Sequence, residues 1–120
     1  MRFATERDLP DIVAIYNSTV AARSSTADTS EVGVESRRAW LGSHTRDRRP
    51  LLVHEEKGRV AAWVSFESFY GRPAYDNTAE ISIYLHTAHR GRGLGRVLLD
   101  EAMERARSLG IKTLVAFIFS

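Results

Sequence analysis

The sequence predicts an α/β domain whose central sheet is mixed, mostly antiparallel and flanked by helices. Three observations predict it. Apolar residues recur at helical spacing in two separate stretches, about 9–21 and 94–109. Two short apolar runs flank a glycine-bearing turn at Glu56-Lys57-Gly58-Arg59, the pattern of an antiparallel hairpin. An alternating run over 79–85 passes through a Gly-rich turn straight into the second amphipathic stretch, which leads to another apolar run. At 120 residues and 43% hydrophobic, the chain has material for one core and one domain.

Taken in order, Met1 to Ala4 reads as a first strand and Thr5 to Pro10 as the turn into a helix. Pro10 suits a first helical turn, and Leu9, Ile12, Val13, Tyr16 and Val20 share a face, so the helix spans about Leu9 to Ala21. Arg23 to Gly33 is rich in Ser, Thr and Asp and reads as a loop or broken helix. A second helix follows from Val34 to His44, with a polar exit through Arg46 to Pro50. Leu51–Glu55 and Val60–Phe66 are the hairpin strands, with Gly58 supplying a positive φ. Ala79–Leu85 is a third sheet strand, and Leu94, Val97, Leu98, Ala102, Ala106 and Leu109 mark a long amphipathic helix that Gly110 stops. Ile111 to Phe119 is nearly continuously apolar, as expected of a strand buried on both faces. The predicted order is βααβββαβ.

Charge narrows the function classes. Seventeen basic residues against fifteen acidic give a net charge of only +2, weak support for nucleic-acid binding. The positive charge is local, at Arg90, Arg92 and Arg96, which suits a small polyanion. Without cysteines there are no disulfides and no thiolate-metal sites, and the charged start at Arg2, Glu6, Arg7 and Asp8 lacks the apolar run of a signal peptide. No apolar segment approaches a membrane span. A soluble cytoplasmic protein is the expectation, with no metal, nucleic-acid or membrane partner.

The densest chemical signal is His89-Arg90-Gly91-Arg92-Gly93-Leu94-Gly95-Arg96, set between strand and helix. Glycines leave backbone amides uncovered, and the helix start adds partial positive charge, so the segment makes an anion cradle. A Walker loop needs Lys and then Ser or Thr after its last glycine, but Arg96 and Val97 follow Gly95. A Rossmann loop needs glycine where Arg96 stands.

What remains is Arg90-x-x-Gly93-x-Gly95, which resembles the acyl-CoA pyrophosphate loop of the GCN5-related N-acetyltransferase superfamily. Phe69-Tyr70-Gly71-Arg72-Pro73-Ala74-Tyr75 and Thr78-Ala79-Glu80-Ile81-Ser82-Ile83-Tyr84 are similar to the phosphinothricin and L-amino acid acetyltransferase branch of it. The likeness extends from Arg2-Phe3-Ala4 and Ile15-Tyr16-Asn17 to Val115-Ala116-Phe117-Ile118. It implies the GNAT fold, acetyl-CoA as co-substrate, and a homodimer. It also implies a further helix and strand pair after the last strand. Residues 1–120 are therefore expected to be one N-acetyltransferase domain that is incomplete at its C-terminal side; a short protein completed by dimerisation stays open.

The resemblance assigns roles residue by residue. Arg90, Gly91, Arg92, Gly93, Leu94, Gly95 and Arg96 would hold the pyrophosphate; otherwise they are a β-to-α connection with solvated arginines. Backbone groups of Ile83, Tyr84 and Leu85 would pair with the pantetheine arm where this strand splays from the next. Glu80 matches the general base of the branch, and a carboxylate at a sheet mouth accepts a proton directly or through water. Arg72 and Tyr75 match positions lining the amino-acid side of the pocket, where a guanidinium pairs with a carboxylate. Ser82 and Tyr84 are expected either to face the same pocket or to pack in the core with a partner for the hydroxyl. Trp40, Trp63, Phe66 and Phe69 read as core and pocket wall.

His44, His54, His86 and His89 match no family histidine and read as surface or structural. With no cysteine and no evident Ser and His pair, direct attack in a ternary complex is expected rather than an acyl-enzyme. Ser25-Thr26-Ala27-Asp28 stands where phosphinothricin enzymes carry an aromatic substrate contact, which leaves the acceptor open among phosphinothricin, methionine sulfoximine or sulfone, and ordinary amino acids. The alternatives are acetylation of another amine, such as a protein N-terminus, polyamine or aminoglycoside, and a non-catalytic CoA- or nucleotide-binding module.

Overall fold

The structure, a computed structural model, describes residues 1–23, 33–46, 49–68, 78–86 and 93–119. Strand β1 (Arg2–Phe3) is followed by a 3-10 turn (Glu6–Asp8) and helix α1 (Leu9–Arg23). A second 3-10 turn (Glu35–Arg37) enters the short helix α2 (Arg38–Gly42). Strands β2 (Leu51–Glu56), β3 (Arg59–Ser68) and β4 (Thr78–Leu85), helix α3 (Leu94–Ser108) and strand β5 (Thr113–Phe119) complete the order.

The strands form a five-stranded sheet in sequence order, antiparallel from β1 to β4 and parallel between β4 and β5. The hairpin turns through Lys57 at φ 54° and Gly58 at φ 77°. Two left-handed residues match the right-handed twist of the flanking strands, so the turn sets Glu56 opposite Arg59, and a bulge between His54 and Glu55 shifts the register of the rest of the β2–β3 pair.

Burial alternates along β4 and divides its residues between two cores. Ala79, Ile81, Ile83 and Leu85 pack with Leu52, Val64 and Phe66 and with Leu98, Ala102 and Ala106 of α3. On the opposite face Trp63, Leu51, Val53 and Val60 pack with Ile12 and Ile15 of α1, and Tyr16, Trp40, Leu41 and Tyr84 close the edge. Trp63 Nε1 donates to the Ile12 carbonyl at 3.1 Å, tying α1 to the sheet.

Two expectations are corrected. The helical stretch expected over Val34–His44 opens as the 3-10 turn Glu35–Arg37 and is α-helical only over Arg38–Gly42; at its end the Trp40 carbonyl accepts from the Ser43 hydroxyl at 2.6 Å and from His44 Nδ1 at 2.9 Å. Side chains that capture a backbone carbonyl compete with helix continuation. Strand β5 is not buried on both faces: Phe117 is 43% and Ile118 46% exposed. It lies at the edge of the described sheet, with β4 on one side only.

Candidate active site on the face of β4 and the start of α3

Alternation along β4 sets Glu80, Ser82 and Tyr84 on the face toward α1, all half-buried. Register places Glu67, Ser65 and Trp63 of β3 opposite them on one side. Val115, Phe117 and Phe119 of β5 stand on the other. The Tyr84 ring is held between Trp63, centroids 4.3 Å apart and 13° from parallel, and Phe119 at 4.6 Å and 19°. Tyr16 of α1 stands 5.6 Å from Tyr84, and the Arg37 guanidinium lies 4.9 Å over both the Tyr16 and Trp40 rings. This aromatic row is the wall expected of Trp40 and Trp63, whereas Phe66 lies fully buried in the α3-side core.

At the end of β4 nearest α3, the two glycines of the cradle are required for different reasons. Gly93, the N-cap of α3, has φ 74°, a left-handed conformation that favours glycine. A Cβ on Gly95 would stand 3.3 Å from Leu85 Cδ1 and Ile118 Cγ2, so Gly95 lets the helix start press on the ends of β4 and β5. The first intrahelical bond runs from Val97 N to Gly93 O, and no side chain caps the helix. The amides of Leu94, Gly95 and Arg96 precede that bond and point from the positive end of the dipole, which fits a pyrophosphate. Leu94 packs against the core. Arg96 is exposed, 3.7 Å from Asp100.

Ile83 and Leu85 send their side chains into the α3-side core, and Ile83 is paired with Val64 on one side and Ile118 on the other. The expected splay does not occur early: β4 and β5 remain in register as far as Tyr84 opposite Phe119. Leu85 stands past the last described pair, and augmentation of the sheet would begin there. Arg72, Tyr75, Arg90, Gly91 and Arg92 lie outside the described residues, as does Ser25 to Asp28.

The structure brings together a set that sequence reading missed. His44 Nε2 and Ser65 Oγ are 2.9 Å apart, so the Ser and His pair thought absent is present. Ser65 Oγ lies 3.5 Å from Glu67 Oε2. Burial holds the His44 ring below the usual imidazole value, against the Trp40 carbonyl and the charge of Glu67, which favour protonation. The only sequence signal was a serine interrupting the apolar run of β3. Ser65 is 1% exposed, and its hydroxyl is shared with His44, so it is not arranged as an acyl-accepting nucleophile.

A cleft of about 540 Å³ opens elsewhere, beside the first 3-10 turn and the hairpin turn. Its carboxylates are already paired: Arg2 holds Asp8 through two 2.8 Å bonds, and Arg59 reaches Asp11 at 3.3 Å. Among the described residues, no cluster of three or more His, Asp or Glu could hold a metal ion, and no helix is long and apolar enough to cross a membrane.

Residues 12–120 match the sequence profile of the acetyltransferase (GNAT) family. Over 119 residues the chain is 55% identical to YwnH of Bacillus subtilis, assigned provisionally as a phosphinothricin acetyltransferase, covering 99% of this chain and 73% of that protein. It is 36% identical to the L-methionine sulfoximine/L-methionine sulfone acetyltransferase of Salmonella typhimurium, covering 100% of this chain and 70% of the relative. Among solved structures, a phosphinothricin acetyltransferase from Sinorhizobium meliloti in complex with acetyl-CoA superposes with a TM-score of 0.85 at 30% identity, over 96% of this chain and 63% of that one.

Proposed function

From the acetyltransferase (GNAT) family, to which this chain belongs, we propose a specific activity: transfer of acetyl from acetyl-CoA to the amino group of a small amino-acid-like acid. Phosphinothricin, methionine sulfoximine and methionine sulfone define the acceptor class, supported by what the relatives are named for. The observation that carries the reading is the placement of Glu80. It stands half-buried on β4, on a polar strip with Ser82, and the same strand leads toward the uncapped amides of α3.

Acetyl-CoA supplies an acyl group already activated as a thioester. The protein's part is to anchor it, to bring the amine to it, and to take the proton the amine sheds. The amides of Leu94, Gly95 and Arg96, with Arg90, Gly91, Arg92 and Gly93, hold the pyrophosphate, and the backbone at the Leu85 end of β4, past the pairs that Ile83 and Tyr84 make with β5, guides the arm. Glu80 accepts the proton from the ammonium, directly or through water, freeing the lone pair for attack on the acyl carbon. Arg72 pairs with the acceptor's carboxylate, and Tyr75 and Ser82 orient it. Attack is direct, since Ser65 is buried and engaged with His44.

The proposal includes a homodimer in the cytoplasm, which sedimentation and fractionation test. The activity is tested by thiol release from acetyl-CoA across a panel of acceptors. Fast release with the amino-acid analogues, and little with polyamines, aminoglycosides or peptide N-termini, is expected. Release with the second group alone would shift the activity to another amine; binding without release would leave a non-catalytic module.

A further inference from the structure

Glu67 and Glu80 are register partners on adjacent antiparallel strands, so both side chains leave the sheet on the same face. Like charges directly opposite one another repel. The chain has seventeen basic residues, yet among the described residues none forms an ion pair with either carboxylate. Glu67 is exposed and Glu80 half-buried, so a small cation can reach both.

We infer that Glu67 is the second arm of the acceptor site: it receives the substrate ammonium beside Glu80, and His44, through the Ser65 hydroxyl, controls whether it is free to do so. This rests on Glu80 as the proton acceptor and gives the neighbouring carboxylate a separate task. An ammonium has three N–H donors. One proton passes to Glu80, while a bond to Glu67 holds the nitrogen in place and answers the second negative charge. Proton transfer to Glu80 breaks an N–H bond and frees the lone pair that forms the new N–C bond; the C–S bond then breaks with its electron pair on the CoA sulfur, which takes up the second proton the nitrogen sheds, and Glu67 stays a hydrogen-bond acceptor throughout.

Hydrogen-bond direction explains the positioning role. The Trp40 carbonyl can only accept, so His44 Nδ1 carries the proton of that 2.9 Å bond. In the neutral ring Nε2 is then the acceptor, and the Ser65 hydroxyl donates to it at 2.9 Å. With its one proton committed there, Ser65 leaves Glu67 at 3.5 Å with its lone pairs available for the ammonium. Protonation of His44 reverses this: Nε2–H donates to Ser65, the hydroxyl turns to Glu67, and a positive charge joins the site. The charged groups on the elements around the ring are Glu67 of β3, which acts on it directly, Arg46, which lies over the Phe3 ring, and Arg49, which donates to the Thr78 carbonyl at 3.5 Å. Burial keeps the ring neutral near pH 7.

Steady-state kinetics on the enzyme with acetyl-CoA and methionine sulfoximine test this. Glu67→Gln, at an exposed position that leaves both cores intact, is expected to raise KM for the amine roughly tenfold or more. Its kcat and KM for acetyl-CoA should stay within about twofold. In the unmodified enzyme KM for the amine rises as pH falls through the His44 titration. That rise is expected to vanish in His44→Gln, to shrink to the part due to the His44 charge in Ser65→Ala, and to return in full in Ser65→Thr, which keeps the hydroxyl. An unchanged amine KM in Glu67→Gln overturns the inference, as does an equal rise in KM for both substrates. A fall in kcat in Glu67→Gln with unchanged KM exchanges the roles of the two carboxylates and also overturns it. Failure of Glu80 as the base reads differently: Glu80→Gln would keep its kcat, whatever Glu67→Gln does to KM.

Discussion

Gly93→Val separates backbone strain from ligand approach, because the same helix carries its own control. Gly93 sits at φ 74° and Gly110, just past the other end of α3, at φ 77°; a Cβ at either position meets no atom within 4 Å. Among the described residues, then, neither Cβ is crowded. The left-handed backbone costs a side chain about 1–2 kcal/mol, with a β-branched residue at the upper end. At roughly 4 °C per kcal/mol for a domain of this size, each variant should melt about 4–8 °C lower. Binding should then part the two. If the amides of Leu94, Gly95 and Arg96 hold the pyrophosphate, a valine beside them displaces one charge-assisted hydrogen bond or more, about 1.5–3 kcal/mol each. That is roughly a 10- to 100-fold loss of acetyl-CoA affinity in Gly93→Val and none in Gly110→Val. Calorimetric titration of the two folded variants is the assay. Equal affinities at matched stability would refute the placement of the anion at the start of α3.

Arg72→Ala should raise KM for an amino-acid acceptor far more than KM for acetyl-CoA, and acceptors without the carboxylate should be indifferent to it; equal effects on all of them would make residues 71–75 a structural turn. Asp8→Asn should cost about 1–2 kcal/mol at neutral pH, discounted for the half-exposed Arg2 partner. The bidentate Arg2 bonds, with the Thr5 amide, hold the Asp8 carboxyl below its ordinary value of about 3.8. The contribution is thus complete above about pH 4 and is lost as pH falls through the lower folded value. Urea unfolding across that range should bring the two proteins together in acid; a gap that persisted would mean Asp8 acts by shape. Trp63→Phe removes the 3.1 Å bond to the Ile12 carbonyl while keeping a ring against Tyr84, and should cost about 1 kcal/mol in the same assay; a loss above about 3 kcal/mol would mean the indole's bulk, not its N–H, ties α1 to the sheet.

Periodicity carried most of the fold. The alternation of Ala79, Ile81, Ile83 and Leu85 with Glu80, Ser82 and Tyr84 reports which side each faces, and the structure keeps that division between two cores. Leu98, Ala102 and Ala106 likewise lie on the buried face of α3. The apolar run of β5 misled, because composition reads the same in a central strand and at a sheet edge; only pairing distinguishes them. Lys57 in the left-handed region is invisible to a rule that looks for glycine. His44 and Ser65 are 21 residues apart, and no local pattern joins them. Their meeting depends on α2 ending early, over the face of β3. The pairing of Glu67 with Glu80 depends on the register of β3 against β4, and residues 69–77 between them are too many for a tight hairpin turn whose type would set it.

The central claim, acetyl transfer to an amine with Glu80 taking the proton, is tested most directly by Glu80→Gln, with turnover and acetyl-CoA affinity measured on the same preparation. The substitution keeps shape and removes the proton acceptor. Affinity for acetyl-CoA should be unchanged, because the anchoring amides lie on α3, while kcat should fall by roughly two to four powers of ten. Unchanged turnover at neutral pH would contradict the account and return Glu80 to a carboxylate at the rim of the sheet.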